Sequence, residues 1–300
     1  MNQKQIEIKS LIVSSVMNFI IGLAGVVVYV MTDLNFLLLD SAISLIAFVS
    51  SLVAYRISQK SHRRTEIFPK GLHFLEPLYA LFRSLITVGV LIITLLETSA
   101  SAYAYFINGE GFPIETGIVL PYSILMIFLC YGLYFYNKQN NKKISNMSII
   151  IEAESKGNFI DGTISLAIVV AMLGLYLIDI NGSLGFLHYT GDFFITALLV
   201  IVSIAEPVRN IVASFRELTN SVIQDEAIES TIIDVIEHKI PTHGEDFDIY
   251  IFKQGIHIKI RLILAQDKQT FSIEELIELK SELLETLKKE FSSVELAFVI

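Results

Sequence analysis

The chain has 300 residues, 53% hydrophobic and 18% charged, with a mean hydropathy of +0.61. That balance belongs to a polytopic membrane protein, and the net charge of −9 excludes nucleic acid as a partner, because phosphate binding needs a basic face. The one cysteine, Cys130, permits neither an internal disulfide nor a thiolate cluster; inside an apolar run it reads as a packed membrane thiol.

Six apolar runs are predicted to be helices, at about Leu11–Met31, Phe36–Tyr55, Leu75–Leu96, Ile118–Tyr136, Ile149–Leu177 and Phe193–Val212. Each supplies the ~20 residues that cross a bilayer. The first is too long for the apolar core of a signal peptide and lacks its small-residue cleavage pattern, so it reads as a retained span. Lys4 and Lys9 precede the first run, and Arg56, Lys60, Arg63, Arg64 and Lys70 follow the second. Lys138, Lys142 and Lys143 follow the fourth, while Arg209 and Arg216 mark the end of the sixth. The alternate gaps, Thr32–Asn35, Ser99–Gly117 and Asp179–Asp192, hold no Lys or Arg. By the positive-inside rule both termini are expected to be cytoplasmic.

In the second run Asp40 is the only acid of the apolar part, and Ser44 stands one helical turn further along. Asp40 lies ~22 Å from the run's end near Tyr55, at 1.5 Å per residue. The basic stretch that follows is punctuated by Pro69 and Gly71, and Glu76-Pro77 opens the third run, where the first turn tolerates proline. Glu76 reads as an entrance charge or as a balance for Arg63 and Arg64. Arg83, seven residues on, shares its face and is expected to pair with such an acid. His62 and His73, in this cationic loop, are expected to be solvated.

The fifth run, IIIEAESKGNFIDGTISLAIVVAMLGLY, carries its charges near the start. Glu152, Glu154 and Lys156 read either as interfacial residues at the helix mouth or as part of a site. Asp161 lies ~20 Å inside the helix and is harder to place at an interface. Glu154 is two turns before it on the same face, and Asn158 is beside it. Two lone aspartates at matching depth on separate helices repel unless a cation or proton sits between them. The expectation is therefore a shared cation site at Asp40 and Asp161, with Ser44, Asn158 and Glu154 as further oxygen donors. The alternative is that each acid pairs with polar neighbours such as Asn18, Ser41 or Thr163.

From Ala213 onward the composition is that of a soluble domain, with 9 Lys and Arg against 17 Asp and Glu. Glu226–Ile240 has helical periodicity, and Phe247–Phe252 and Gly255–Leu264 read as strands around a Lys253-Gln254-Gly255 turn. Ser272 with Glu275 is a capping box opening a helix over Ile273–Phe291, and Val294–Val299 closes as a strand. The order α-β-β-α-β predicts a small α+β layer. No GxxxxGK[ST], HExxH or GxSxG occurs, so neither an ATP-driven pump nor an intramembrane enzyme is expected. His238, His243 and His257, with Asp246 and Asp248, read either as surface residues or as a regulatory metal site.

LLLDSAISL, FPKGLHFLEPL, EAESKGNFIDGTIS and RELTNS, with six spans and the compact tail, resemble the cation diffusion facilitator family over essentially the whole chain. The resemblance implies a six-helix transmembrane transport domain at residues 1–212 and a cytoplasmic, ferredoxin-like or metallochaperone-like α+β dimerisation domain at 213–300. It implies a homodimeric exporter of a divalent metal cation, driven by inward proton flow, in a lipid bilayer such as a bacterial plasma membrane. No tightly bound cofactor is implied beyond the transported cation. Such proteins hold the ion with a [HD]-x-x-x-D pair on each of helices two and five. Here Ser44 and Gly157 replace two of the four ligands. The remaining oxygen donors suit Mn²⁺, Mg²⁺ or Fe²⁺ better than Zn²⁺, which favours His or Cys. A membrane-anchored sensor that kept the fold and lost transport is the alternative.

Overall fold

The computed structural model describes residues 3–61, 65–69, 71–114, 116–143, 149–239, 247–255, 257–264, 272–291 and 293–299. His62, Arg63, Arg64, Lys70, His243 and Asp246 lie outside the described residues, as do the side chains of Lys4, Lys60 and Glu152. Two compact units emerge, one of Met1–Val53 and Leu85–Pro207, the other of Ala54–Ser84 and Val208–Ile300.

The helices in chain order are α1 (Gln3–Thr32), α2 (Asn35–Ser61), α3 (Leu75–Asn108), α4 (Thr116–Lys143), α5 (Ile149–Leu177), α6 (Leu187–Ser203) and α7 (Ala205–Leu218). Among the described residues five stretches are long and apolar enough to cross a membrane: Ile8–Thr32, Leu75–Asn108, Gly117–Lys143, Glu154–Leu177 and Leu187–Leu218. The apolar part of α2, Asn35–Ser50, is shorter, although the helix itself continues to Ser61. Large apolar side chains such as Val30, Phe128, Val170 and Ile201 point outward. A water-soluble bundle hides such residues, whereas a bilayer solvates them.

The sixth predicted run is two helices. The Ile204 amide still donates to Val200 O at 2.9 Å, but Pro207 has no N–H to offer the Ser203 carbonyl four residues earlier, so the helix is interrupted there. In the first unit, Phe36, Leu37 and Leu39 of α2 pack into a core with Ile21 of α1, Leu91 of α3, Met126 of α4, Met172 of α5 and Leu199 of α6. Close approach of α1 and α2 depends on small residues. A Cβ on Gly22 would stand 2.7 Å from Leu45 Cγ, and one on Gly25 would collide with Ser41 Oγ. A polar seam joins α1 to α4: Ser10 donates to Asn137 Oδ1 at 3.1 Å, and Asn137 donates to Ser14 Oγ at 2.8 Å.

In the second unit, α8 (Glu226–Lys239), β1 (Phe247–Gln254), β2 (His257–Leu264), α9 (Ile273–Glu290) and β3 (Ser293–Val299) follow in the predicted order. β1 and β2 form an antiparallel hairpin that pairs Gln254 with His257, with Gly255 at φ +60° in the turn. The α9 crossover returns the chain so that β3 lies parallel to β2, which is central. Ile232 and Ile236 of α8, Leu283 and Leu287 of α9, and Ile251, Ile260, Leu262 and Leu296 of the sheet share one core. The capping box is present: Ser272 Oγ accepts from the Glu275 amide at 3.2 Å, and Glu275 Oε2 accepts from the Ser272 amide at 2.8 Å.

Candidate metal centre

Asp40 sits in the second turn of α2, between the buried Leu39 and Ser41, so the packing of its neighbours fixes the rotation at which its carboxyl enters the unit. Both Asp40 and Asp161 are partly buried. Of the charged groups around Asp161, Asp40 acts on it most strongly, ahead of Glu154 and Glu206. Among the described residues neither carboxylate makes a hydrogen bond or an ion pair. Buried charge without a partner is costly, and like charge nearby makes it more so.

Two of the polar neighbours named as alternative partners of the acids, Ser41 and Thr163, donate to backbone carbonyls instead. Ser41 donates to Leu37 O at 2.6 Å, and Thr163 donates to Phe159 O at 2.8 Å. Ser44 is partly buried one turn beyond Asp40. Asn158 is buried one turn before Asp161, and its Nδ2 has no hydrogen-bond partner among the described residues. Glu154, a further turn away, is partly buried. At Gly157 an added Cβ would meet nothing within 4 Å, so there is open space beside the aspartate-bearing face. Among the described residues, no three or more His, Cys, Asp and Glu side chains are grouped so as to hold a metal ion.

Two side chains on α4 face this region without a charge to flag them. Tyr122 is buried, and its hydroxyl lies 2.7 Å from where a Gly25 Cβ would stand, the same point that Ser41 crowds. The carboxylate acting most strongly on Tyr122 is Asp40; on the buried Cys130 it is Asp161, then Asp40. Their only sequence signal is the helical spacing of 122, 126 and 130 on one face of an apolar run.

The histidines lie elsewhere. His73 is buried, contrary to the solvated state expected of a cationic loop. Its ring stacks on His257, with centroids 4.2 Å apart and planes 9° from parallel. His257 bonds Ser293 Oγ through Nδ1 at 2.8 Å and lies 3.6 Å from Glu295. His238 and Asp248 are exposed.

Helices that wear apolar side chains outward, five of whose stretches among the described residues are long and apolar enough to cross a bilayer, define a membrane protein. The sequence pattern of the cation efflux transmembrane domain matches residues 11–219, and the chain belongs to that family of metal-cation transport proteins. No curated protein matches the chain in sequence.

Proposed function

We propose that the protein exports a divalent metal cation from the cytoplasm in exchange for protons, holding the ion between α2 and α5. Asp40 and Asp161 supply the charge, and Ser44, Asn158 and Glu154 supply further oxygen donors. The observation that carries this reading is the pair of partly buried aspartates on α2 and α5, neither of which makes a hydrogen bond or an ion pair among the described residues. A divalent cation neutralises both at once. Without it, protons must do so, which couples the two species at one place. Mn²⁺, Fe²⁺, Mg²⁺ and Zn²⁺ are the ions to compare, and the oxygen donors favour the harder ones. Both termini then face the cytoplasm, and the acidic tail serves as the dimerisation domain of a homodimer.

The test is flux into proteoliposomes under an imposed pH gradient. Asp40→Asn and Asp161→Asn should each abolish flux while the purified protein keeps its wild-type elution profile, since removing one of two like charges relieves repulsion. Wild-type flux in either variant defeats the shared site, and flux indifferent to collapse of the gradient defeats antiport. The absence of a second acid at Ser44 and of a ligand at Gly157 favours, as a second reading, a sensor that binds metal without moving it. Saturable metal binding with no flux for any of the four ions would establish that reading instead.

A further inference from the structure

We infer that the outer face of α7 is a seat for anionic lipid headgroups, with Val208, Val212 and Phe215 set into the bilayer surface and Arg209 and Arg216 on the phosphates. The inference does not depend on the ion site and concerns the leaflet at the C-terminal end of α6.

The helix starts where the hydrocarbon ends. α6 has 17 residues and at 1.5 Å per residue runs about 25 Å, most of the ~30 Å hydrocarbon thickness. Only Ile204 separates it from α7, so the chain enters α7 near the lipid–water boundary. Composition changes at the same point. α6 carries Asp192 alone among charged side chains, whereas α7 carries Glu206, Arg209, Arg216 and Glu217. An apolar span followed by a shorter amphipathic helix is the pattern of a chain that crosses the bilayer and then lies on it.

The residues of α7 divide by face. Val208, Ile211, Val212 and Phe215 recur at helical spacing on one side. Val208, Val212 and Phe215 are exposed, Phe215 at 59%. Arg209 lies three residues before Val212 and Arg216 four after it, so both exposed guanidinium groups border the apolar stripe. Glu217 is two residues from Phe215 and therefore on the opposite side, where it is already engaged. The Gly255 amide donates to Glu217 Oε2 at 2.8 Å, and Lys253 Nζ lies 3.6 Å from Oε1. Gln254 Nε2 donates to Asn220 Oδ1 at 3.1 Å, just past the helix end. The β1–β2 hairpin thus holds the acidic side of α7, and the side turned away from it presents apolar and positive groups.

Lipid fits that face better than a second copy of the chain does. With 14 residues α7 is about 21 Å long and ~10 Å across, so one face offers on the order of 200 Å². That is roughly a quarter of the ~800 Å² that each side of a stable interface buries. A bilayer sets no such minimum, because the spans already hold the protein in it. Arginine reaches from an apolar stripe to the headgroup level, and its guanidinium fork matches phosphate oxygens in pairs. An anionic headgroup offers that phosphate without a compensating ammonium, which is the charge the two arginines complement.

The sequence has no tryptophan, so Phe215→Trp places a single reporter on the stripe. Full-length protein carrying it is reconstituted in vesicles of phosphatidylcholine and phosphatidylglycerol, with bromine on the acyl chains of one lipid or the other. Phe128→Trp, on the outward side of α4, and Tyr250→Trp, on β1, are the membrane and water references. Phe215→Trp should be blue-shifted and quenched like Phe128→Trp. Half-quenching should need about fivefold less brominated phosphatidylglycerol than brominated phosphatidylcholine, the enrichment that one surface arginine supports. That preference should vanish at ~1 M salt, where charges are screened beyond ~3 Å, and in Arg209→Gln combined with Arg216→Gln. The salt arm needs no arginine variant, so it decides the matter even where the double variant fails to fold. Emission like that of Tyr250→Trp without quenching overturns the inference, as does equal quenching by both lipids. Blue-shifted emission that neither brominated lipid quenches puts a second copy on the stripe and overturns it too.

Discussion

Gly25 and Gly157 show how space at one residue controls different things in the two helices that carry or face the acids. At Gly25 an added Cβ would collide with Ser41 Oγ and approach the Tyr122 hydroxyl at 2.7 Å, so α1 touches α2 only because the side chain is absent. Gly25→Ala is expected to destabilise the protein by about 1–3 kcal/mol, the range for forcing atoms into a packed contact. Gly157→Ala meets nothing within 4 Å and replaces a helix-interior glycine, so it should raise the thermal midpoint in detergent instead. A fall with Gly157→Ala as large as with Gly25→Ala would contradict this reading of the space. The same opening makes a ligand swap feasible. Ser44→Asp with Gly157→His rebuilds the four-ligand pattern implied by the resemblance, and a histidine nitrogen is softer than carboxylate oxygen. Competition flux should then shift toward Zn²⁺. An unaltered ranking would mean that these two positions do not face the ion.

At the level of elements, α2 is capped by a helix remote in sequence. The Asn35 and Phe36 amides donate to Asp192 Oδ2 and Oδ1 at 3.0 Å each, and Asn35 Nδ2 adds a bond of 3.2 Å. A carboxylate at a helix N-terminus satisfies orphan amides and complements the dipole. Asp192→Ala should cost about 1–2 kcal/mol, the usual size of a lost cap, and Asp192→Asn less, since one acceptor oxygen remains. Thermal unfolding of both variants in detergent checks the order, and equal loss would refute the role of the oxygen. This cap also marks where sequence reading stops. Ser272 and Glu275 announced the start of α9 because their partners are three residues apart. The β1–β2 turn was legible for the same local reason, in Lys253-Gln254-Gly255. Asp192 and Asn35 are 157 positions apart, so nothing local links them. Asp40 and Asp161 stood out because charge is rare in apolar runs. Tyr122 and Cys130 did not, because on an apolar helix they look like ordinary packing. The interruption at Ile204 is not legible from the run itself, because Val208, Ile211 and Val212 carry apolar residues past Glu206 and Pro207.

At the scale of the whole molecule, the second unit is assembled from chain segments far apart in sequence. Ala54–Ser84, which takes in the end of α2, the connection after it and the first turns of α3, belongs with Val208–Ile300. Two contacts explain why. His73 stacks on His257, and a Cβ on Gly255 would collide with the carboxyl of Glu76, so the segment entering α3 lies against the β1–β2 hairpin. Gly71, at φ +98°, turns the chain into that position where a side chain would be strained. Charge in the loop suggested solvation for His73, but a flat imidazole facing another buries area that charge counting ignores. The consequence concerns His257, which is 7% exposed with Ala54–Ser84 in place. Removing everything before Val208 takes away the ring stacked on it, while the sheet and helix core of the tail lies wholly within the remaining residues. In the isolated tail His257 should therefore react readily with diethylpyrocarbonate. In the full-length protein it should be protected, and His73→Ala should restore much of the reactivity. His238, exposed at the end of α8, serves as the internal control and should react alike in all three proteins. Protection of His257 that persists in the isolated tail would show that Ser293 and β3 cover the ring by themselves, and that the loop before α3 contributes nothing to its burial.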